Sequence, residues 1–228
     1  MRISVCMAAY RGEKFIAEQI SSILPQLGEE DELLVSDDAP GGETERIVRA
    51  FCEKDARICY MAGPGKGVVR NFEFVLSEAK GDVLFLCDQD DVWRQDKVAA
   101  VMHEIGCGAD LVLHDATVTD EALFVTVPSF FMLHGSRPGL VRNVLRNSYM
   151  GCCMAFTREV AQRALPFPED IPMHDQWIGL VAERCGNVCF LPEPLILYRR
   201  HGGSVTGKPT SLRQKFKWRA AILRALIR

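Results

Sequence analysis

A chain of 228 residues, 48% hydrophobic and 25% charged, has the make-up of a soluble protein with a real core, in one large α/β domain. No apolar run approaches the ~20 residues of a membrane span, and nine scattered cysteines without a CxxC pair argue against a disulfide framework or a zinc site. The net charge of −3 conceals an asymmetry: residues 1–120 carry 23 acids and 12 bases, whereas residues 121–228 carry 7 acids and 15 bases. That is either unevenly charged solvated surface, or an acidic metal-binding end beside a basic end that faces something anionic.

Apolar periodicity predicts a strand at 3–9, too short for a signal peptide and leading directly into a helix at 14–24. That helix carries Phe15, Ile16, Ile20, Ile23 and Leu24 on one face and stops at Pro25. A strand at 32–36, a helix at 43–51 with Ile47, Val48 and Phe51 inward, a strand at 57–61 and a helix at 68–76 follow. Then come a strand at 83–87, a helix at 98–105 and extended chain at 110–113. This alternation predicts a mostly parallel central sheet flanked by helices. Beyond about residue 115 the rhythm loosens. The pattern there gives extended chain at 118–127, a short helix at 140–146, a small apolar stretch at 148–156 and a proline-rich loop at 166–172. A helix at 173–183, extended chain at 195–198 and a terminal helix at 212–227 complete it. Cys6, Cys59 and Cys87 fall in strand patterns and read as small buried hydrophobes, which points to a reducing, cytoplasmic compartment.

The strand at 83–87 runs straight into Asp88, Asp90 and Asp91. Open α/β sheets place ligands at the C-terminal ends of their strands, and three carboxylates so close repel one another unless a cation sits among them. Capping the next helix needs one acid, not three. Oxygen ligands completed by a substrate diphosphate suit Mg²⁺ or Mn²⁺. Asp37 and Asp38, ending an earlier strand, read either as an Asx turn or helix cap, or as acceptors for a nucleobase N–H. Gly63-Pro64-Gly65-Lys66-Gly67 lacks the dinucleotide-binding spacing, but a flexible turn there lets backbone approach a phosphate or ribose. Arg70 and Asn71, one turn into the next helix, are placed to reach the same ligand; Arg70 reads equally as a solvated helix residue.

Two later segments complete the set. His174-Asp175-Gln176-Trp177 opens a helix, where an acid is a cap or dipole partner unless it lies in a cleft beside an acceptor hydroxyl and serves as general base. Tyr198-Arg199-Arg200-His201-Gly202-Gly203 ends the last strand pattern. Its arginines match phosphate oxygens and its imidazole can ligate a metal, unless the segment is a basic surface turn.

Together these residues resemble the family 2 inverting glycosyltransferases with the nucleotide-sugar-binding GT-A fold, closest to the bacterial branch that builds surface polysaccharides and includes rhamnosyltransferases. The likeness spans about residues 2 to 207. It rests on Ser4 through Tyr10, Val35 through Asp38, Gly67 through Asn71, Cys87 through Trp93, Gly151-Cys152, His174 through Trp177 and Tyr198 through His201. The chain departs from the family at Ala39 through Thr44, where Asp-Asp-Gly-Ser and Asp-Asn-Thr are usual. The resemblance implies that Ala9 and Tyr10 line the nucleotide pocket, Asp38 binds the base, and Gly151 and Cys152 lie near donor sugar and acceptor. It implies that Asp88 and Asp90 form the DxD pair, Asp88 near ribose and metal and Asp90 on the metal. It further implies that His201 contacts metal or diphosphate and that Asp175 is the catalytic base of a single displacement. Gly67, Arg70, Asn71 and Arg199 complete the expected donor site, for a UDP- or dTDP-linked sugar and Mn²⁺ or Mg²⁺. The acceptor is expected to be a glycan or a lipid-linked glycan, with no nucleic acid.

The implied organisation is one domain over 1–207, its 1–115 half binding the nucleotide sugar and its 116–207 half the acceptor, followed by a basic amphipathic helix at 208–228. Leu212, Phe216, Leu223 and Ile227 share one face of that helix, with Arg213, Lys217, Arg224 and Arg228 one step around. It either lies on the inner face of a membrane or packs on its own domain. Two other functions fit parts of the pattern. One is a haloacid-dehalogenase-type phosphohydrolase, whose nucleophile motif also follows an apolar strand but normally the first one. The other is a non-catalytic nucleotide-sugar-binding module.

Overall fold

The structure, a computed structural model, describes residues 1–202 and 211–227. Its first half alternates β1 (Ile3–Ala9), α1 (Ile16–Ile23), β2 (Glu32–Asp37), α2 (Glu43–Cys52), β3 (Ile58–Ala62), α3 (Val68–Glu78) and β4 (Val83–Asp88). β1, β2 and β4 are buried along almost their whole length. That is why they read as continuous apolar runs rather than alternating ones. The four strands are parallel in the order β3-β2-β1-β4. The chain steps outward from β1 to β2 and β3, then returns to the other side of β1 as β4. The order therefore reverses at β1, and a crevice opens at the strand ends there. Register levels those ends: Ala8 pairs with Asp88, and Ala9 with Asp37.

The helices bury the predicted faces. α1 turns Ile16, Ile20 and Ile23 inward, and α3 buries Phe72, Val75 and Leu76 together with one polar residue, Asn71.

The second half comprises β5 (Val92–Trp93), α4 (Lys97–Gly106), β6 (Leu111–Thr119), β7 (Val125–Val127), α5 (Phe130–His134), α6 (Leu140–Leu145), β8 (Met154–Thr157), α7 (Arg158–Ala164), α8 (His174–Cys185), β9 (Val188–Arg199) and α9 (Leu212–Ile227). The sheet continues β8-β6-β9-β5, with β8 antiparallel to both β4 and β6. The parallel register expected for the sheet thus holds for its first four strands, and the remainder is mixed. β9 is much longer than the 195–198 segment legible in the sequence. Pro192 and Pro194 lie within it, where the β6–β9 ladder shifts register around Asp115, because proline has no N–H for the ladder. β5 pairs with β9, Val92 with Leu197 and Trp93 with Ile196. The segment just after the acids is thereby laced to the strand that ends on Arg199.

α8 is buried on every side from His174 to Ala182, so it forms the floor of the second half. α9 docks through Ala221, Ile222 and Leu226, and Arg219 Nη2 donates to the Leu145 carbonyl at 2.6 Å. The expected boundary at 207/208, residues Gly203 and Arg228, and the side chains of Leu212 and Ile227 lie outside the described residues. No helix among those described is long and apolar enough to cross a membrane. All nine cysteines are free thiols. Cys6 and Cys87 are buried as expected, but Cys59 is exposed, because β3 is the edge strand and its outer face meets solvent.

Candidate active site

A cleft of about 610 Å³ opens over the ends of β1, β2 and β4. Its walls bring together Ala9, Tyr10, Asp38, Gly67, Asn71, Asp88, Asp90, Gly151, Asp175, Arg199 and His201, all singled out in the sequence. Residues as far apart as Ala9 and His201 meet in it, so only the fold could assemble them.

The side of the cleft over the ends of β1 and β2 is built from backbone held by side chains. Asp38 accepts from the amides of Gly65 (2.8 Å) and Gly67 (2.7 Å). Both glycines have positive φ, +66° and +85°, which any side chain would disfavour. The carboxylate therefore folds the glycine turn over the cleft. Asn71, 2% exposed, donates to the carbonyls of Ser36 (2.9 Å) and Ala9 (3.3 Å) and accepts from the Ser36 hydroxyl. It ties β1 to β2 beneath the site. Asp37 is the Asx turn: it accepts from Ala39 N at 3.0 Å, and burial raises its carboxyl. Gln89 was not recognised in the sequence. Its side-chain amide makes a reciprocal pair with the backbone of Tyr10, at 2.9 and 3.0 Å, locking the β1 loop to the acid loop. Gly12 makes room for it, since a Cβ there would lie 2.0 Å from Gln89 Oε1.

The acids occupy the centre. Asp90 Oδ2 lies 2.7 Å from His201 Nε2. Burial, then the charge of Asp90 and that of Asp175, raise the Asp88 carboxyl to about 7. Asp91 is 1% exposed and is pushed well above the usual range, by burial first and then by Asp90 and Asp88. Its Oδ1 accepts from Arg199 N at 3.0 Å, whereas Oδ2 has no hydrogen-bond partner among the described residues. Ligand atoms of Asp88, Asp91 and Cys152 lie within 4.8 Å of one another. Raised carboxyls and an orphaned buried oxygen are what mutually repelling acids show without a cation among them. Two carboxylates and a thiol so grouped can hold a divalent cation, and the neighbouring Asp90–His201 pair offers a further carboxylate and an imidazole. Below the acids, fully buried Lys97 donates to the Cys152 carbonyl at 2.9 Å and sits 3.9 Å from the Trp93 ring centroid. Its charge partly offsets that of Asp88. No motif in the sequence marks this lysine.

α8 presents Asp175 to the same cleft from its first turn, near enough for its charge to act on Asp88. Asp175 is 8% exposed, and burial pushes its carboxyl up to about 6 against the pull of the Gln176 and Gly151 amides and the Asn147 side chain. His174 beside it is stacked on Phe72, with centroids 4.0 Å apart, and burial lowers it to about 3, so it is neutral. Gly151 is small for a steric reason: a Cβ there would lie 2.9 Å from His174 Nε2.

Three expected donor contacts are placed differently. Arg70 does not line the cleft; its guanidinium bonds Glu73 and the carbonyls of Phe167 and Pro168, drawn there by the loop before α8. Cys152 lies under the acids, 1% exposed, rather than on the cleft wall. Arg199 lines the cleft, but its guanidinium donates to the carbonyls of Asp90 (2.8 Å) and Glu121 (2.6 Å) and to Glu18 Oε2 (2.5 Å) while packing over Phe15. It is a strut that holds the acid loop.

Comparison with known proteins agrees with this architecture. The family model for glycosyl transferase family 2 matches residues 4–165. The chain is 26% identical over 235 residues to dTDP-rhamnosyl transferase RfbG of Shigella flexneri, covering 92% of this chain and 77% of that protein. It is 25% identical over 235 residues to the uncharacterized protein Rv1520 of Mycobacterium tuberculosis, covering 94% of this chain but 63% of that one. The chain thus spans less than two thirds of the mycobacterial relative's length. S. aureus TarS in complex with UDP-GlcNAc shares the fold at a TM-score of 0.80 and 18% identity, over 100% of this chain and 67% of TarS. Mannosyltransferase PcManGT of Pyrobaculum calidifontis, in complex with GDP-Man and Mn²⁺, does so at 0.65 and 18%, over 98% of this chain and 69% of PcManGT. The phosphohydrolase alternative falls away, since its motif ends a first strand and β4 follows three. By its family model and its GT-A fold, the chain belongs to glycosyl transferase family 2.

Proposed function

We propose that the protein transfers a sugar, with inversion, from a UDP- or dTDP-linked donor to a hydroxyl of a glycan or lipid-linked acceptor in cell-surface polysaccharide synthesis. The observation that carries this reading is the convergence of two acid sets in one cleft: Asp88 and Asp90 with His201, and Asp175 from α8, near enough for its charge to raise the Asp88 carboxyl. The nucleoside lies against the ends of β1 and β2, where the Asp38-held glycine turn offers backbone to the ribose or phosphates. Asp88, Asp90 and His201 would hold Mn²⁺ or Mg²⁺, which would supply positive charge to neutralise the departing nucleoside diphosphate.

Asp175 takes the proton from the acceptor hydroxyl as that oxygen attacks the anomeric carbon. A carboxyl raised to about 6 is a stronger base than an ordinary aspartate and is still mostly ionised near neutrality. RfbG, named as a dTDP-rhamnosyl transferase, and TarS and PcManGT, solved with nucleotide-sugar donors, support the donor class. Asp175→Asn is expected to keep donor affinity and lose transfer, and Asp90→Ala to lose metal-dependent donor affinity. Calorimetric titration of nucleotide sugars with and without Mn²⁺, beside a transfer assay, tests the pair. Metal-independent donor affinity in both variants overturns the assignment, and metal-dependent binding without transfer or donor hydrolysis in the wild type leaves a binding module instead.

A further inference from the structure

No acidic residue occurs between Glu121 and Glu159, and none follows Glu193. In the fold these two acid-free stretches meet. α6 packs against α9, and Arg219 donates to the Leu145 carbonyl. α5 is tied to the α6 segment by Arg142 Nη2 on the Gly135 carbonyl (2.8 Å) and Arg146 Nη2 on the His134 carbonyl (2.6 Å). One continuous patch results, spanning α5, α6 and α9.

That patch exposes large apolar side chains that the core does not use. Met132 is 87% exposed, Val141 74% and Phe216 67%, and Leu133, Leu145 and Leu223 are exposed beside them. On α9 the spacing separates two outward stripes. Phe216 and Leu223 form one at i and i+7, with Arg213, Lys217 and Arg224 on the next. Ala221, Ile222 and Leu226 point the other way, into the protein, so the outward apolar stripe is additional to the one that docks the helix. Scattered exposed apolar residues need no explanation, but a contiguous group framed mostly by bases, with half-buried Glu183 at the start of α6 as an adjoining acid, marks a contact surface.

We propose that the α5–α6–α9 face docks on an anionic lipid bilayer. Charge complementarity selects this occupant. Exposed Arg137, Arg146, Arg213, Lys217 and Arg224 meet acidic headgroups. Met132, Leu133, Val141 and Phe216 enter the headgroup boundary. The placement also gives the surface a use. Asn147 directly follows exposed Arg146, and its amide reaches Asp175 Oδ1 at 3.5 Å. The face therefore adjoins the base side of the cleft, where an acceptor carried on a lipid arrives from the bilayer. Only this last statement rests on the transferase reading; the lipid face stands without it.

The test is co-sedimentation of the full chain with phosphatidylcholine vesicles, with and without about a third phosphatidylglycerol, at low and high salt. The wild type is expected to bind the anionic vesicles roughly tenfold or more tighter than the neutral ones, less so at high salt. Met132→Ser/Val141→Ser/Phe216→Ser and Arg213→Glu/Lys217→Glu/Arg224→Glu are each expected to lose that binding roughly tenfold or more, with melting temperature and nucleotide-induced thermal shift unchanged. Absence of anionic binding in the wild type overturns the proposal, as does wild-type binding by either variant. A dimer in light scattering that the serine variant returns to monomer also overturns it, by showing a second copy on the face. Vesicle binding without any nucleotide shift sinks the transferase reading and leaves the lipid face intact.

Discussion

Asp90 Oδ2 and His201 Nε2 meet at 2.7 Å although 111 residues separate them in the chain. The contact joins the loop after β4 to the end of β9, and Phe15 packs on the imidazole with centroids 5.0 Å apart. On the proposed reading this packed imidazole and the carboxylate against it both serve as metal ligands. Asp90→Ala and His201→Ala are each expected to weaken Mn²⁺ binding by roughly 10–100-fold while leaving the metal-free melting temperature nearly unchanged. Mn²⁺ titrations followed by calorimetry check this. Wild-type affinity in both variants would remove these residues from the metal site.

Burial leaves Asp175 with a carboxyl at about 6, and two consequences have opposite signs. As the base it must be ionised, so kcat/KM should fall about tenfold per pH unit below about 6 and level off above it. For stability, a carboxyl whose folded value exceeds its unfolded one binds its proton more tightly in the folded state. Below about 4 the two states are protonated alike and nothing is lost; between about 4 and about 6 stability falls, and above that the loss is complete, at most about 3 kcal/mol. Asp175→Asn should therefore be inactive yet melt higher than the wild type at pH 8, with the difference gone near pH 3.5. A melting-temperature difference independent of pH contradicts this.

Gly151 has no room for a methyl group, since its Cβ would press on His174 Nε2 while Phe72 backs the ring. In Gly151→Ala the imidazole shifts, and Asp175 shifts with it. Transfer is expected to drop by roughly 100-fold with nucleoside diphosphate affinity preserved, because on the proposed reading the nucleotide lies over the ends of β1 and β2. Gly151→Ala combined with His174→Ala should recover part of the loss. Failure of the double variant to recover any activity argues against this steric account.

Arg199 is 4% exposed and holds Asp90, Glu121 and Glu18 at once. If it serves as a strut, Arg199→Lys should destabilise the protein by about 2–4 kcal/mol, because one ammonium cannot reach three acceptors in different directions. Mn²⁺ affinity should fall along with stability, since the acid loop loses its anchor. Urea denaturation measures the first effect and calorimetry the second. A variant with wild-type stability and a selectively raised donor KM restores Arg199 to the phosphate-binding role.

The sequence alone specified the parallel half of the sheet and the acid loop. Buried parallel strands are apolar on both faces, and helices packed on one sheet keep a 3.6-residue period, so β1 to β4 and α1 to α4 were legible locally. Asp88 and Asp90 stood out locally, because one helix cap does not need three acids, whereas Asp175 and His201 have ordinary readings as a helix cap and a basic turn and were singled out by the family resemblance. Where β8 enters, why β9 continues through two prolines, and where side chains point depended on tertiary contacts. Arg70 and Arg199 look alike in sequence, each a guanidinium near a strand or helix end, yet one bonds the loop before α8 and the other braces the acids. A long cationic side chain goes to whichever acceptors burial leaves unsatisfied, and only the folded neighbourhood identifies them. The same holds for Lys97, an ordinary lysine in the sequence, which the fold seals beneath three carboxylates whose repulsion gives its charge a purpose.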